Sequence, residues 1–153
     1  MKIFRLEKSI NLPITIEECW QFFSSPKNLK VITPAYMGFN IIDVEETSMY
    51  PGQIIKYNVT PLFGINMKWV TEISHAEKNK FFVDEQRFGP YKFWHHKHIF
   101  KVIYGGVKVI DILDYALPFG FLGVLFHPYF IKPKLDEIFN YREKKLIEIF
   151  GKL

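Results

Sequence analysis

The chain has 153 residues, 48% of them apolar and 24% charged, with 16 Phe, 8 Tyr and 3 Trp. A chain of this size buries about 68–70% of the surface its unfolded form exposes, so a core forms without disulfides or metals, and collagen-like, disordered and disulfide-scaffold classes are excluded. Twenty Lys plus Arg against 16 Asp plus Glu leave a net charge of +4, concentrated from Lys132 and Lys134 to Arg142, Lys144, Lys145 and Lys152. No zinc-finger spacing, RNP-like run or basic repeat accompanies it, so a solvated helix face is expected rather than nucleic-acid binding.

Residues 3 to 12 read as a strand ended by Pro13. The N-terminus carries charges through its apolar residues and lacks a signal-peptide core, and the single cysteine, Cys19, has no partner for an internal disulfide. A cytoplasmic protein is the expectation, with residues 1–153 forming one domain. Thr15 then opens a helix as N-cap, Glu18 completing a capping box, and Ile16, Cys19, Trp20 and Phe23 recur at helical spacing. Ser25 and Pro26 start a short second helix expected over 26 to 32. From Phe39 the period changes to two. Turn signals at Pro51-Gly52, Pro61 and Gly64, the polar run 77–80, Gly89-Pro90 and Gly105-Gly106 mark six strands near 39–47, 53–60, 66–76, 81–88, 92–104 and 106–117, an antiparallel meander. Gly105-Gly106 predicts a type I′ hairpin, in which both central residues have positive φ.

The apolar stretch 115–131 is broken by Pro118, Gly120, Gly123 and Pro128 and is too short for a membrane span. It reads as buried chain or a lid. A long helix follows from about 129 to 150, with an earlier start and a kink at Pro128 left open. Its apolar face holds Ile131, Leu135, Ile138, Phe139, Leu146, Ile149 and Phe150, and Arg142 falls in the middle of that face.

This order of elements, together with Phe82-Val83-Asp84-Glu85-Gln86, Gly89-Pro90-Tyr91, Trp94-His95-His96-Lys97-His98-Ile99-Phe100, Asp111, Tyr115, Pro118-Phe119-Gly120 and Phe139-Asn140-Tyr141-Arg142, resembles the START-like (SRPBCC) helix-grip superfamily, and within it the bacterial ligand-binding SRPBCC proteins. The resemblance spans essentially the whole chain. It implies an α+β fold, a curved antiparallel sheet of about seven strands wrapped around the C-terminal helix, with a hydrophobic cavity between them. It implies no reaction, because the superfamily holds both carriers and polyketide cyclase/dehydrases.

Strand alternation sorts the meander into faces. Trp94, His96, His98, Phe100, Val102 and Tyr104 form the more apolar row of their strand. Phe82, Asp84, Gln86 and Phe88, the row Val107, Val109, Asp111, Leu113 and Tyr115, and Ile55, Tyr57, Val59, Trp69, Thr71 and Ile73 complete the inner face. A ligand site is therefore expected at Tyr57, Trp69, Phe82, Asp84, Gln86, Trp94, His96, His98, Phe100, Asp111, Tyr115, Phe119, Phe139 and Arg142. Buried polar groups are costly unless paired, so Asp84, His96, His98, Asp111 and Arg142 either satisfy one another and fix register, or form the polar end of a pocket. His96 and His98 form a His-x-His pair that, with Asp84 or Asp111, has the make-up of a three-ligand open metal site. With no second His-x-His or Cys pair, and none implied by the resemblance, no metal or other cofactor is expected. His127, before Pro128, reads as a turn residue.

The leading functional expectation is binding or transport of a hydrophobic or amphipathic small molecule, lipid, isoprenoid or polyketide-like, with 117–128 as a gate that touches a membrane transiently when open; the alternative for that segment is an ordinary buried helix start. The enzymatic alternative is a cyclase or dehydratase in which His96 or His98 with Asp84 or Asp111 moves a proton. A third is an interaction module using a sheet edge or the C-terminal helix. Histidines saturated by protein carboxylates, with no solvent path, count against the second, and a cavity filled solid by its own aromatic rings favours the third.

Overall fold

Period-two alternation builds the largest element. In the computed structural model, which describes residues 1–43, 48–60 and 64–153, β1 (Phe4–Leu12), β2 (Asn40–Asp43), β3 (Ile54–Val59), β4 (Met67–Glu77), β5 (Phe81–Phe88), β6 (Phe93–Ile103) and β7 (Gly106–Ala116) form one antiparallel sheet. The order β1-β7-β6-β5-β4-β3-β2 makes a meander whose last strand returns to the first. These boundaries follow the expected ones. The expected strand beyond residue 43 and the turn at Pro61 fall at 44–47 and 61–63, outside the described residues.

Two short helices, α1 (Ile16–Phe23) and α2 (Pro26–Leu29), follow β1. Thr15 Oγ1 accepts from the Glu18 amide and the Glu18 carboxylate accepts from the Thr15 amide, which is the capping box. Cys19, Trp20 and Phe23 are buried, and Trp20 meets Phe82 and Phe100 edge to face at 6.2 and 6.1 Å. α2 ends before the expected residue 32, and a 3₁₀ turn over Ala35–Met37 leads into β2.

The C-terminal helix starts earlier than 129. α3 (Phe121–Phe126), a π-turn (His127–Ile131) and α4 (Lys132–Phe150) run on without a break. The π-turn contains Pro128, which has no N–H to give to an α-helical ladder, so the widened turn absorbs the mismatch. Leu135, Phe139, Arg142 and Leu146 are the buried residues of α4. Ile149, expected on that face, is 44% exposed.

The β6–β7 hairpin differs from its expected form. Tyr104 and Gly105 occupy the turn while Gly106 already pairs with Ile103. Only Gly105 has a left-handed φ, +80°, so the φ signs are those of a type II turn rather than type I′. Gly106 is needed for another reason: a Cβ there would stand 2.0 Å from the Leu12 carbonyl oxygen, where β1 crosses the start of β7. Tyr104 and Val102 consequently lie past the covered part of the sheet, exposed rather than on the inner row.

Gly106→Ala is expected to destabilise the fold more than Gly105→Ala in urea denaturation. The left-handed φ at Gly105 costs roughly 1–2 kcal/mol for alanine, whereas the clash at Gly106 is with backbone that has no rotamer to yield.

Candidate functional site

Register brings the polar residues together. Asp84 of β5 stands opposite His96 of β6, and His98 of β6 opposite Asp111 of β7. Arg142 of α4 descends on them from the helix side, with Nη2 3.4 Å from Asp111 Oδ1 and 3.3 Å from His98 Nδ1. His96, His98, Asp111 and Arg142 are all buried. This layer touches two apolar clusters, which share Tyr91 and Trp94 at their edges. Phe82, stacked on His98 at 4.2 Å, belongs to the cluster built with Trp20, Phe23 and Phe100. Phe139, 5.6 Å from His96, belongs to the cluster of Leu6, Leu113, Tyr115 and Leu135.

Asp111 Oδ1 is the hub. It lies 3.1 Å from His96 Nε2 and 2.9 Å from His98 Nδ1 as well as beside Arg142. Asp84 Oδ2 accepts from His98 Nε2 at 2.7 Å and lies 3.4 Å from His96 Nδ1, while Trp94 Nε1 donates to Asp84 Oδ1 at 3.2 Å. Burial opposes the charge on Asp111, yet Arg142 and the two histidines hold its carboxyl well below the ordinary value. Asp84 is lowered in the same way, burial being outweighed by His96 and His98. The histidines part company. Burial and the neighbouring His98 push His96 down, whereas for His98 the bonds to Asp111 and Asp84 overcome burial and raise it. Both rings have a carboxylate oxygen near each nitrogen, and the shorter distances, 2.7 and 2.9 Å, are those of His98.

This cluster forms one wall of a cavity of about 170 Å³ between sheet and α4. Tyr57, Trp69, Phe82, Asp84, Trp94, His96, His98, Phe139 and Arg142, all expected at a ligand site, line it. Five expected residues do not. Asp111 stands behind the histidines, and Phe100 packs between Trp20 and Phe23. The Gln86 amide is consumed by the β5–β6 loop, accepting from the Tyr91 amide at 3.1 Å and donating to its carbonyl at 2.6 Å. The Tyr115 hydroxyl is bonded to His127 Nε2 at 2.7 Å, and Phe119 is 82% exposed with φ +67°. Phe88, also expected inward, is exposed.

The cavity also uses residues not expected at the ligand site, among them Thr71 of the expected inner row. Thr71 pairs with the Tyr57 hydroxyl at 2.8 Å and accepts from Trp69 Nε1 at 3.1 Å, which satisfies two polar ring groups at the wall. Tyr91 comes from the loop after Gly89-Pro90, where no periodicity exists to place it, and Leu29, Ile32 and Met37 close the end near α2. His127 is more than a turn residue: besides its bond to Tyr115 it stacks on Phe4 at 3.6 Å. Cys19 is buried, its thiol pushed up to about 12 by burial and by Asp111, which leaves it inert as a nucleophile.

No family model and no curated protein matches the sequence. Solved structures do match the fold. Protein CV1439 from Chromobacterium violaceum superposes with a TM-score of 0.70 at 14% identity, covering 100% of both chains. Ginseng major latex-like protein 151 from Panax ginseng gives 0.66 at 12% identity over 97% of each chain. Ara h 8.0201 gives 0.58 at 13% identity over 96% of this chain and 99% of its own. The architecture is thus the helix-grip fold of these proteins.

Asp111→Ala is expected to destabilise the protein by about 3–5 kcal/mol in urea denaturation, because it leaves Arg142 buried without its carboxylate. Arg5→Ala, which breaks the pair of Arg5 with Asp114 at 2.7 Å, is expected to cost far less in the same measurement, since that arginine is exposed and its pair is screened by solvent. In NMR titration His98 should titrate above the ordinary imidazole value and His96 below it. The stabilisation from protonated His98 is then complete below its unfolded pKa and fades as pH rises through its raised folded value.

Proposed function

We propose that the protein binds a small hydrophobic molecule bearing an oxygen-containing or anionic head in the cavity between the sheet and α4. What carries this reading is Arg142: it lines the cavity, is only 8% exposed, and its Nε has no hydrogen-bond partner. A buried unpartnered donor costs about 1–3 kcal/mol, and a ligand oxygen recovers that. The apolar lining from Phe22, Leu29, Met37 and Ile138 supplies the remaining affinity.

The volume narrows the ligand class. An apolar cavity of about 150 Å³ holds benzene, whereas drug-sized ligands use roughly 300–1,000 Å³. At about 170 Å³ the space matches one ring or a short alkyl chain better than a multi-ring polyketide or a long lipid. The cyclase alternative has less support because each ring nitrogen of His96 and His98 lies within 3.4 Å of an oxygen of Asp84 or Asp111, so a substrate proton has to displace one of these contacts. An interaction module has less support than a carrier, since the inner face is not filled solid.

Loading through 117–128 and transient contact with a membrane belong to the same reading. α3 has no buried residue, and Phe119, Phe121, Leu122, Leu125, Phe126 and Tyr129 are exposed along it and at its ends, a larger apolar patch than isolated surface residues make. No helix among the described residues is long and apolar enough to cross a membrane, so the contact is one of surface insertion.

Native mass spectrometry of protein purified from its source, combined with thermal shift against single-ring carboxylic acids and short to medium fatty acids, tests the reading. A bound species or a shift with at least one of these is expected, and Ile138→Trp, which fills the cavity, should weaken it at least about tenfold, or about 1.4 kcal/mol. No co-purifying molecule and no shift across the panel would overturn it. Phe121→Glu with Leu125→Glu should reduce sedimentation with phosphatidylcholine vesicles without altering ligand affinity.

A further inference from the structure

One donor atom each from Asp84, His96 and His98 lies within 4.8 Å of the other two. Asp84 Oδ2 is the shared corner, 2.7 Å from His98 Nε2 and 3.4 Å from His96 Nδ1. Neighbouring ligands of a tetrahedral ion with bonds of ~2.0–2.1 Å stand roughly 3.3 Å apart, and the two observed edges bracket that spacing.

The surroundings of the triangle orient it. His96 Nε2 and His98 Nδ1 both point to one oxygen, Asp111 Oδ1, at 3.1 and 2.9 Å. With hydrogens on those two nitrogens and the His98 Nε2 proton given up to the ion, the lone pairs of His96 Nδ1 and His98 Nε2 face Asp84, the tautomers that a chelating pair requires. Trp94 Nε1 donates to Asp84 Oδ1, which turns Oδ2 toward the histidines. Arg142 steadies Asp111 from behind. A carboxylate behind each histidine and a donor behind the ligating carboxylate are the outer contacts by which proteins set metal ligands.

We propose that Asp84 Oδ2, His96 Nδ1 and His98 Nε2 bind one divalent transition-metal ion of the Zn²⁺, Fe²⁺ or Co²⁺ class at the wall of the cavity, with at least one coordination position open to the cavity. Two imidazoles and one carboxylate suit this class rather than Ca²⁺ or Mg²⁺, which take oxygen ligands. All three residues line the cavity, so the remaining position faces its interior. The ion replaces the proton shared by His98 Nε2 and Asp84 Oδ2. Two carboxylates, Asp84 and Asp111, then stand against Arg142 and a dipositive ion, leaving one positive charge that a hydroxide or a ligand carboxylate cancels. The site stands whether or not an organic ligand occupies the cavity.

The test begins with the full chain stripped by chelator and dialysed against ZnCl₂, with CoCl₂ titrated in parallel. One equivalent of Zn²⁺ is expected, in competition with Co²⁺. X-ray absorption of the Zn²⁺ form should show two imidazole ligands and otherwise light-atom donors. His96→Gln and Asp84→Asn should each lower affinity at least about 100-fold, and Asp111→Asn about 10–100-fold, the range for partners behind a ligand. His75→Gln and His95→Gln should leave affinity unchanged. If a ligand variant fails to fold, as judged by circular dichroism, the absorption spectrum of the unaltered protein decides. Binding of less than half an equivalent, fewer than two imidazoles on the ion, or affinity that falls with His75 or His95 instead would overturn the proposal.

Discussion

One carboxylate oxygen, Asp111 Oδ1, ties the helix to the sheet. It faces His96, His98 and Arg142 at once, so it fixes the register of β6 on β7 and the rotation of α4 about its own axis. A one-residue slip between β6 and β7 would turn the paired side chains to opposite faces, stranding charge in apolar surroundings. A rotation of α4 would carry Arg142 away from its only buried carboxylate partner among the described residues. Such an arrangement adds little net stability over a well-packed apolar substitute, yet breaking one member of it is expensive. Its effect is to penalise alternatives, which is a form of specificity.

The same constraint accounts for the division of the core. Apolar side chains do not pack through a charged layer, so the buried residues fall into two clusters, joined at the edge by Tyr91 and Trp94, which pack against both. On one side, Trp20, Phe23, Phe82 and Phe100 close on one another edge to face or tilted. Toward α2, Tyr57, Trp69, Tyr91 and Trp94 pack side by side along the wall, three of them fixed by polar atoms: Tyr57 and Trp69 are tied to Thr71, and Trp94 to Asp84. Rings anchored at their polar ends line a space rather than collapse into it. The aromatic share of the composition is thus split between packing and lining.

What depends on local period was legible in the sequence. The capping box at Thr15 and Glu18, the strands of the meander and the buried stripe Leu135, Phe139, Arg142 and Leu146 all follow from residues within a few positions of one another. Where the chain meets itself at long range, that reading loses its footing. Gly106 looked like half of a turn, but its small size answers to Leu12, which is brought beside it only when β1 joins β7. His127 looked like a turn residue because its partners, Tyr115 and Phe4, come from two strands. Phe119 looked like cavity lining because apolar character alone does not say which side of a helix start faces water. Among the inward polar residues, alternation found the members but not their order from front to back, which is set by cross-strand pairing.

That order resolves the two sequence-level alternatives, mutual satisfaction and a polar pocket end, because the cluster has two sides. Toward β7 and α4, Asp111 satisfies both histidines and Arg142. Toward the cavity, Asp84, His96 and His98 present donor atoms whose orientation has been decided from behind. Asp111 Oδ1 lies beside the far nitrogens at 3.1 and 2.9 Å, and Asp84 Oδ2 beside the near ones at 3.4 and 2.7 Å. Side chains held by contacts on both sides in this way need little reorganisation to meet a bound group. The network that holds the helix in place is therefore also what makes the cavity wall chemically specific, and a substitution at Asp111 must act on both.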